Sequence, residues 1–331
     1  MTSSAAVFLV GAAFSLATSW LLVSRIERIS RRFGVSEAIL GLIAALAADA
    51  PEITSAVSAL VHRQHAIGAG VVLGSNVFNL AALLGVGALV AGSIELHWRV
   101  VLLTGVVCVW TAVVCLAVVL GAFPPDVGIV LAVLVIVPYV ALSATHGRMP
   151  RRFPLATATK RWFVDAIREE ESELHRAIPP TRANRFDFAV GAAALVAVVV
   201  ASAAMERAGA SLGGHFHVPG IVVGGIVLAA VTSVPNAVAG VYLARRKRGA
   251  ATLSTTFNSN ALNVTAGFLV PAAILGIGET GGQVTLVAAW YVAMSLLLVV
   301  VAFVRAGFNR LVGAVIVASY LAYLGVVLAT S

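Results

Sequence analysis

Asp49 and Glu52 stand three residues apart inside an apolar stretch, with Pro51 between them. That spacing puts both carboxylates on one face of a helix. The proline removes a backbone donor and interrupts the helix at the same place. Further along, the chain repeats the arrangement in neutral form, with Thr232, Ser233 and Asn236 around Pro235. Ser75 and Asn79 recur as Ser259 and Asn263, and each i, i+4 pair presents two oxygens on one face. Asn76, Asn258 and Asn260 lie beside them. Carboxylate, amide, hydroxyl and carbonyl oxygens together make a site for a hard cation. The cation-binding candidates are Asp49, Glu52, Ser75, Asn79, Thr232, Ser233, Asn236, Ser259 and Asn263, with Glu52, Asp49, Asn79, Asn263 and Asn236 as metal ligands. Pro51 and Pro235 are the helix breakers. Two carboxylates balance one divalent ion and repel one another when it leaves, so exchange of a proton for the metal is chemically reasonable.

Each of these residues taken singly has a plainer role. One Ser or Asn in an apolar helix more often bonds a neighbouring helix, and one proline more often marks a kink. Their recurrence as a set carries the functional reading. An intramembrane carboxylate is costly and points to function by default.

The elements that must hold these residues are membrane spans. The chain has 331 residues, 60% hydrophobic and only 11% charged, and a mean hydropathy of +1.01. A soluble domain is about 45–50% apolar and about 25% charged, so an ordinary globular protein is excluded, as is a disordered one. Ten stretches are long enough to span: 5–24, 36–61, 66–92, 100–121, 127–145, 187–208, 218–244, 250–276, 283–304 and 311–329. The second, third, seventh and eighth carry the Gly, Pro, Ser, Asn and Asp residues. On these spans only Asp49 and Glu52 lie deep; the other 34 charges fall in loops or at helix ends.

Basic residues set an orientation. With the N-terminus outside, 20 of the 22 Lys and Arg residues fall in loops on the cytoplasmic side, and only Arg63 and Arg207 fall outside. The net charge of +8 is then a topology signal, not a sign of nucleic acid. The uncharged start, Met1 to Ala6, followed by Arg25 and Arg28, predicts a retained first helix. Both termini are expected outside a cytoplasmic (inner) membrane. Cys108 and Cys115, seven residues apart, would lie about 10 Å apart on a helix, too far for a disulfide. His215 and His217 form a lone HxH pair. No Cys/His metal spacing, nucleophile elbow or phosphate loop is present.

The polar segment 146–186 divides two halves of five spans, 1–145 and 187–331. Phe163, Ile167, Leu174 and Ile178 recur at helical spacing there, which predicts an amphipathic helix at the membrane interface. The acidic run Glu169–Glu173 reads as a solvated face. An offset of 184 aligns 41–85 with 225–269 without a gap, matching Gly41/Gly225, Pro51/Pro235, Ser75/Ser259, Asn76/Asn260 and Asn79/Asn263. Five spans per half is odd, so the second copy enters the membrane from the opposite side. Inverted repeats with interrupted helices at matching positions are the pattern of secondary transporters. The expected fold is thus all-α and polytopic: ten transmembrane helices in two inverted five-helix repeats, with helices 2 and 7 broken.

These motifs resemble the sodium/calcium exchanger superfamily of cation antiporters, with the chain as a divergent member. Ala-Asp-Ala-Pro-Glu (48–52) and Gly-Ser-Asn-Val-Phe-Asn (74–79) are similar to the first alpha-repeat, here about 36–92. Thr-Ser-Val-Pro-Asn (232–236) and Asn-Ser-Asn-Ala-Leu-Asn (258–263) are similar to the second, about 218–276. The resemblance implies a central Ca²⁺ site with flanking Na⁺ sites, and transport by sliding of the first and sixth helices. It makes Glu52 the main Ca²⁺ ligand, puts Asn79 and Asn263 at polar ligand positions, and has Ser75, Thr232, Ser233 and Ser259 shape the flanking sites. Three departures stand out. The family's second glutamate is Asn236, its first Thr-Ser is Ala48-Asp49, and an acidic residue that some members carry at the last ligand position is Asn263.

The expected function is secondary exchange of Ca²⁺, or a related cation, for Na⁺ or H⁺, by a transporter without enzymatic activity or cofactor. Its partners are inorganic cations and the lipid bilayer, with no nucleic acid. A Na⁺/H⁺ exchanger without divalent transport is the alternative within the class. A cation channel or a non-transporting scaffold is the alternative outside it.

Overall fold

The structure, a computed structural model, describes residues 2–32, 42, 45–144, 161–168, 184–278 and 281–331. Gly41 and the first residues of the second predicted span lie outside them, as do the acidic run 169–173, Leu174 and Ile178. The described chain is almost wholly helical. In order it forms α1 (Thr2–Arg32), α2 (Ala50–Val61), α3 (His65–Ala91), α4 (Trp98–Val119) and α5 (Pro125–Ala144). A short helix at 161–168 follows. Then come α6 (Arg185–His215), α7 (Gly220–Thr232), α8 (Val234–Arg245), α9 (Gly249–Leu262), α10 (Val270–Leu275), α11 (Gly282–Arg305) and α12 (Arg310–Thr330). Two three-residue strands, β1 (Ser93–Glu95) and β2 (Gly307–Asn309), pair antiparallel with Ile94 opposite Phe308.

Seven described helices are long and apolar enough to cross a bilayer, and α7 with α8 makes an eighth as one span bent by 49°. The line through α9 and α10, 249–275, is as long but carries Thr252, Ser254, Thr256, Asn258, Ser259, Asn260 and Asn263. That polarity is tolerable in a membrane only where protein covers it, and all seven side chains are buried. The layering matches. In α3, 94% of the most apolar stretch is buried inside the molecule, against 22% in α12. The outside is the reverse: Leu9, Val10, Trp20, Leu134, Ile274 and Val304 face outward, where acyl chains solvate them.

The helices of the second half begin where the first half predicts. Ala50, His65 and Trp98 open α2, α3 and α4, and Val234, Gly249 and Gly282 open α8, α9 and α11, each 184 residues later. Asp49 and Ser233, again 184 apart, are the cap residues of α2 and α8, with backbone angles near φ −79°, ψ −6° and φ −86°, ψ 0°. Pro51 and Pro235 take the second helical position, where a missing N–H costs least. The following helices also share an irregularity. A π-helical turn spans Leu80–Val86, just past Asn79, and another spans Asn263–Leu269, starting on Asn263. Such turns frequently mark functional positions.

Contacts sort the connections into two ends. The β1–β2 pair joins the turns before α4 and α12, and the turn before α9 meets it, since a Cβ on Gly249 would strike the Glu95 carbonyl. The 161–168 helix is at that end too, through Arg99–Asp165 at 3.6 Å and the Trp98–Trp162 ring contact. At the other end Arg63, Gln64 and His65 line one cavity of about 490 Å³ with Gly214, Val218 and Gly220.

One boundary differs from the sequence expectation. Hydropathy ends the sixth span at 208, which leaves Glu206 and Arg207 at a helix end. The helix runs on to His215. Glu206 therefore sits inside it and is fully buried, a third charge deep in the fold beside Asp49 and Glu52. The apolar residues Ala208, Ala210 and Leu212 carry the helix past the charged pair.

Candidate cation site

The break at Asp49, ahead of α2, and the one at Ser233, between α7 and α8, bring their polar turns to the middle of the molecule, facing the Asn-rich turns of α3 and α9. All nine candidate residues are buried, at 0–1% exposure. Asp49 Oδ1 accepts from Asn236 Nδ2 at 2.7 Å and from Ser259 Oγ at 2.6 Å. Glu52 Oε1 accepts from Ser233 Oγ at 2.6 Å and from Asn236 Nδ2 at 3.3 Å. Glu52 Oε2 accepts from Asn263 Nδ2. A single amide, that of Asn236, thus bridges the two carboxylates. Every one of these donors comes from the second half of the chain, and both carboxylates come from the first.

The amides form a second tier. Asn79 Nδ2 donates to Asn260 Oδ1 at 3.3 Å and lies 3.5 Å from Ser259 Oγ. Asn263 Nδ2 also reaches Asn76 Oδ1 at 3.3 Å. Asn76 and Asn260 were outside the candidate set although they belong to the same Ser-Asn motif, and the structure puts both beside it. Two candidates stand apart in their bonding. Thr232 Oγ1 donates to its own helix, at Leu228 O (2.9 Å). Ser75 Oγ is buried with no hydrogen-bond partner among the described residues.

Close approach of backbones makes this centre compact. A Cβ on Gly74 would collide with the Gly225 carbonyl, so α3 and α7 meet at a separation that only glycine permits. Tyr323 Oη closes the contact from α12 by donating to Gly225 O at 3.1 Å.

The electrostatics leave an unmet demand. Two carboxylates cannot be buried as ions without compensation. Here they receive only neutral donors, and among the described residues no Lys, Arg or His forms an ion pair with either. Asp49 Oδ2, Asn79 Oδ1, Asn263 Oδ1 and Ser75 Oγ are buried and have no hydrogen-bond partner among the described residues. A hard cation takes oxygens of these kinds. Among the described residues no group of three His, Cys, Asp or Glu could hold a metal ion; the side chains gathered at this centre offer carboxylate, amide and hydroxyl oxygens.

Residues 3–145 and 186–329 match the sodium/calcium exchanger protein family. The chain is 38% identical over 92 residues to the putative antiporter CaxA of Alkalimonas amylolytica, covering 27% of this chain and 29% of that one. It is 33% identical over 86 residues to the sodium/calcium exchanger MaX1 of Methanosarcina acetivorans, covering 26% and 25%. These matches span less than a third of either relative's length. In fold it is similar to the sodium-calcium exchanger NCX_Mj soaked without Na⁺ and Ca²⁺, at TM-score 0.59 and 19% identity, covering 97% of this chain and 98% of that one. It is also similar to the H⁺/Ca²⁺ exchanger CAX, at TM-score 0.65 and 15% identity, covering 97% and 81%.

Proposed function

The chain belongs to the sodium/calcium exchanger protein family, and from that premise we propose that it is a secondary antiporter exchanging Ca²⁺, or a related cation, for Na⁺ or H⁺ at the Asp49/Glu52 centre. The observation that carries this reading is the Asn236 amide shared by both carboxylates, beside buried oxygens with no hydrogen-bond partner among the described residues. The relatives MaX1 and CAX, described as a sodium/calcium and an H⁺/Ca²⁺ exchanger, support the ion classes.

The reading takes the chain as ten spans in two inverted halves, 1–145 and 187–331, in the cytoplasmic membrane with both termini outside. The 184-residue recurrence of helix starts supports the repeat. The grouping of basic turns such as Arg245–Arg248 and Arg305–Arg310 with the β1–β2 end supports the orientation. In this scheme one divalent ion neutralises Asp49 and Glu52, with Asn79, Asn236 and Asn263 turning amide oxygens to it. Ser75, Thr232, Ser233 and Ser259 serve the counter-ion. Because both ions need the same carboxylates, they cannot occupy the centre together, and their fluxes are coupled. Alternating access comes from α1 and α6, which pack as an antiparallel pair joined by Ser15–Ser202 (2.7 Å) and Arg25–Asp187 (2.7 Å).

A Na⁺/H⁺ exchanger without divalent transport is the second reading. It is favoured by the placement of both carboxylates on one helical turn, with Asn236 and Asn263 at the second-half positions. Ca²⁺ uptake into proteoliposomes under a Na⁺ gradient and, separately, under a proton gradient decides between them. Asp49→Asn with Glu52→Gln abolishes gradient-driven uptake if the site is right; retained uptake overturns the assignment.

A further inference from the structure

Glu206 is the charge that neither the repeat nor the central site uses. It lies on α6 with no exposed surface. Ser58 Oγ of α2 donates to its Oε2 at 2.7 Å, while its Oε1 is buried and has no partner among the described residues. The charged groups nearby are His62, whose Nδ1 is 2.6 Å from the Ser58 carbonyl, and Arg207, which points outward. α1 contributes Gly11 and Ser15 to this face, and α7 brings no charge.

The carboxylate stands on a polar path. Along α2, Glu52, Ser55, Ser58 and His62 follow at one-turn intervals from the centre to the end of the helix. Ser55 Oγ meets Ser202 O at 3.4 Å, and Ser202 Oγ meets Ser15 Oγ at 2.7 Å. Ser58 lies six positions beyond Glu52, which is about 9 Å of helix rise. Hydroxyl oxygens therefore line the step from one carboxylate to the other, at the seam between α6 and α2.

We propose that Glu206 is a second cation station, holding one proton that Na⁺ displaces, on the route between the His62 end of the molecule and the Asp49/Glu52 centre. A single carboxylate balances a single positive charge, whereas the central pair balances two; the station is thus suited to the monovalent ion. When Na⁺ arrives, the carboxyl proton leaves to the aqueous side, and the ion then has the central carboxylates within reach. The part that concerns transport rests on the antiporter reading, but occupancy of Glu206 does not.

Two measurements test it on the full chain. Infrared difference spectra of the purified Asp49→Asn/Glu52→Gln protein, in which the centre is neutral, should show loss of a protonated-carboxyl band when NaCl replaces choline chloride. The band should vanish when Glu206→Gln is added. If Na⁺ elicits no such band, Glu206 is not a station, whatever the protein transports. In proteoliposomes, Glu206→Gln keeps an acceptor for Ser58 and removes the charge, while Ser58→Ala does the opposite. A station makes Glu206→Gln the slower variant, about tenfold below wild type in Na⁺- or H⁺-driven Ca²⁺ uptake, with Ca²⁺ affinity at equilibrium retained. A mere brace between α6 and α2 makes Ser58→Ala at least as slow as Glu206→Gln, which overturns the proposal. Wild-type protein that takes up no Ca²⁺ under either gradient overturns the antiporter reading instead, and leaves the infrared result to decide the station.

Discussion

Asn76 and Asn260 exchange hydrogen bonds across the middle of the molecule: the Asn76 amide donates to the Asn260 carbonyl at 3.1 Å, and the Asn260 amide returns one to the Asn76 carbonyl at 3.0 Å. They are 184 residues apart, so each is the repeat partner of the other. The contact is self-complementary in the way of a two-fold interface within one chain. It pins α3 to α9 one turn from Asn79 and Asn263, and so sets the width of the candidate cation site.

Replacing either Asn76 or Asn260 by Ala should therefore loosen the crossing of α3 and α9. Interhelical bonds of this kind are worth about 1 kcal/mol each in membrane proteins, and each substitution removes one donor of the pair. Unfolding of the detergent-solubilised protein should show a loss of that order for each single variant. The double variant should cost less than the two singles added, because neighbouring contacts are coupled. Strict additivity would mean that the two bonds do not act as a unit.

Charge at the centre should make stability depend on the cation. Ca²⁺ at about 100 times its dissociation constant should stabilise the wild type by about 2.7 kcal/mol. Asp49→Asn and Glu52→Gln should each lose most of that gain while folding normally without Ca²⁺. Metal binding needs ionised carboxylates, so the Ca²⁺-induced rise in Tm should shrink as the pH is lowered. A rise that persists unchanged in Asp49→Asn/Glu52→Gln would place the ion elsewhere.

Asn236 offers a test of charge count against charge position. Its amide touches both carboxylates, so a carboxylate there lies in the same cluster. Asp49→Asn alone should weaken Ca²⁺ binding, and adding Asn236→Asp should recover part of it. Adding Asn236→Asp to the wild type instead crowds three carboxylates together, and proton competition should become stronger. No recovery in the relocated variant would show that the position of Asp49 matters beyond its charge.

The helix at 161–168 buries Ile167 completely, in a cluster with Leu42, Leu103, Val107, Tyr139 and Ala261. Removing a fully buried Ile side chain costs about 2–5 kcal/mol. Ile167→Ala should lower the Tm of the solubilised protein accordingly, and Phe163→Ala, only partly buried, should lower it less. If the helix only rested on lipid, detergent-solubilised protein would not register either change.

The outline of the site was legible because it repeats. Pro51 with Pro235, and Ser75–Asn79 with Ser259–Asn263, are too unusual in apolar stretches to recur by chance at one spacing, and all nine candidates are buried together. Glu206 escaped that reading for two reasons. It has no repeat partner of its kind, and the neighbouring Arg207 made the pair resemble a helix end. The helix's continuation to His215 and the hydrogen bond from Ser58 on α2 reveal it as buried, and the second relation spans 148 residues of sequence.

By itself the sequence determined the class of molecule, the positions of the breaks and the polar residues that recur around them. Hydropathy, proline and the absence of bulk water in a bilayer restrict these locally, residue by residue. Only the tertiary structure decided who meets whom. Asp49 finds its donors in Asn236 and Ser259, 187 and 210 residues away, so a carboxylate of the first half meets the amide that stands in the second at the position matching Glu52. Periodicity places a side chain on a face, but helix crossing decides what that face touches.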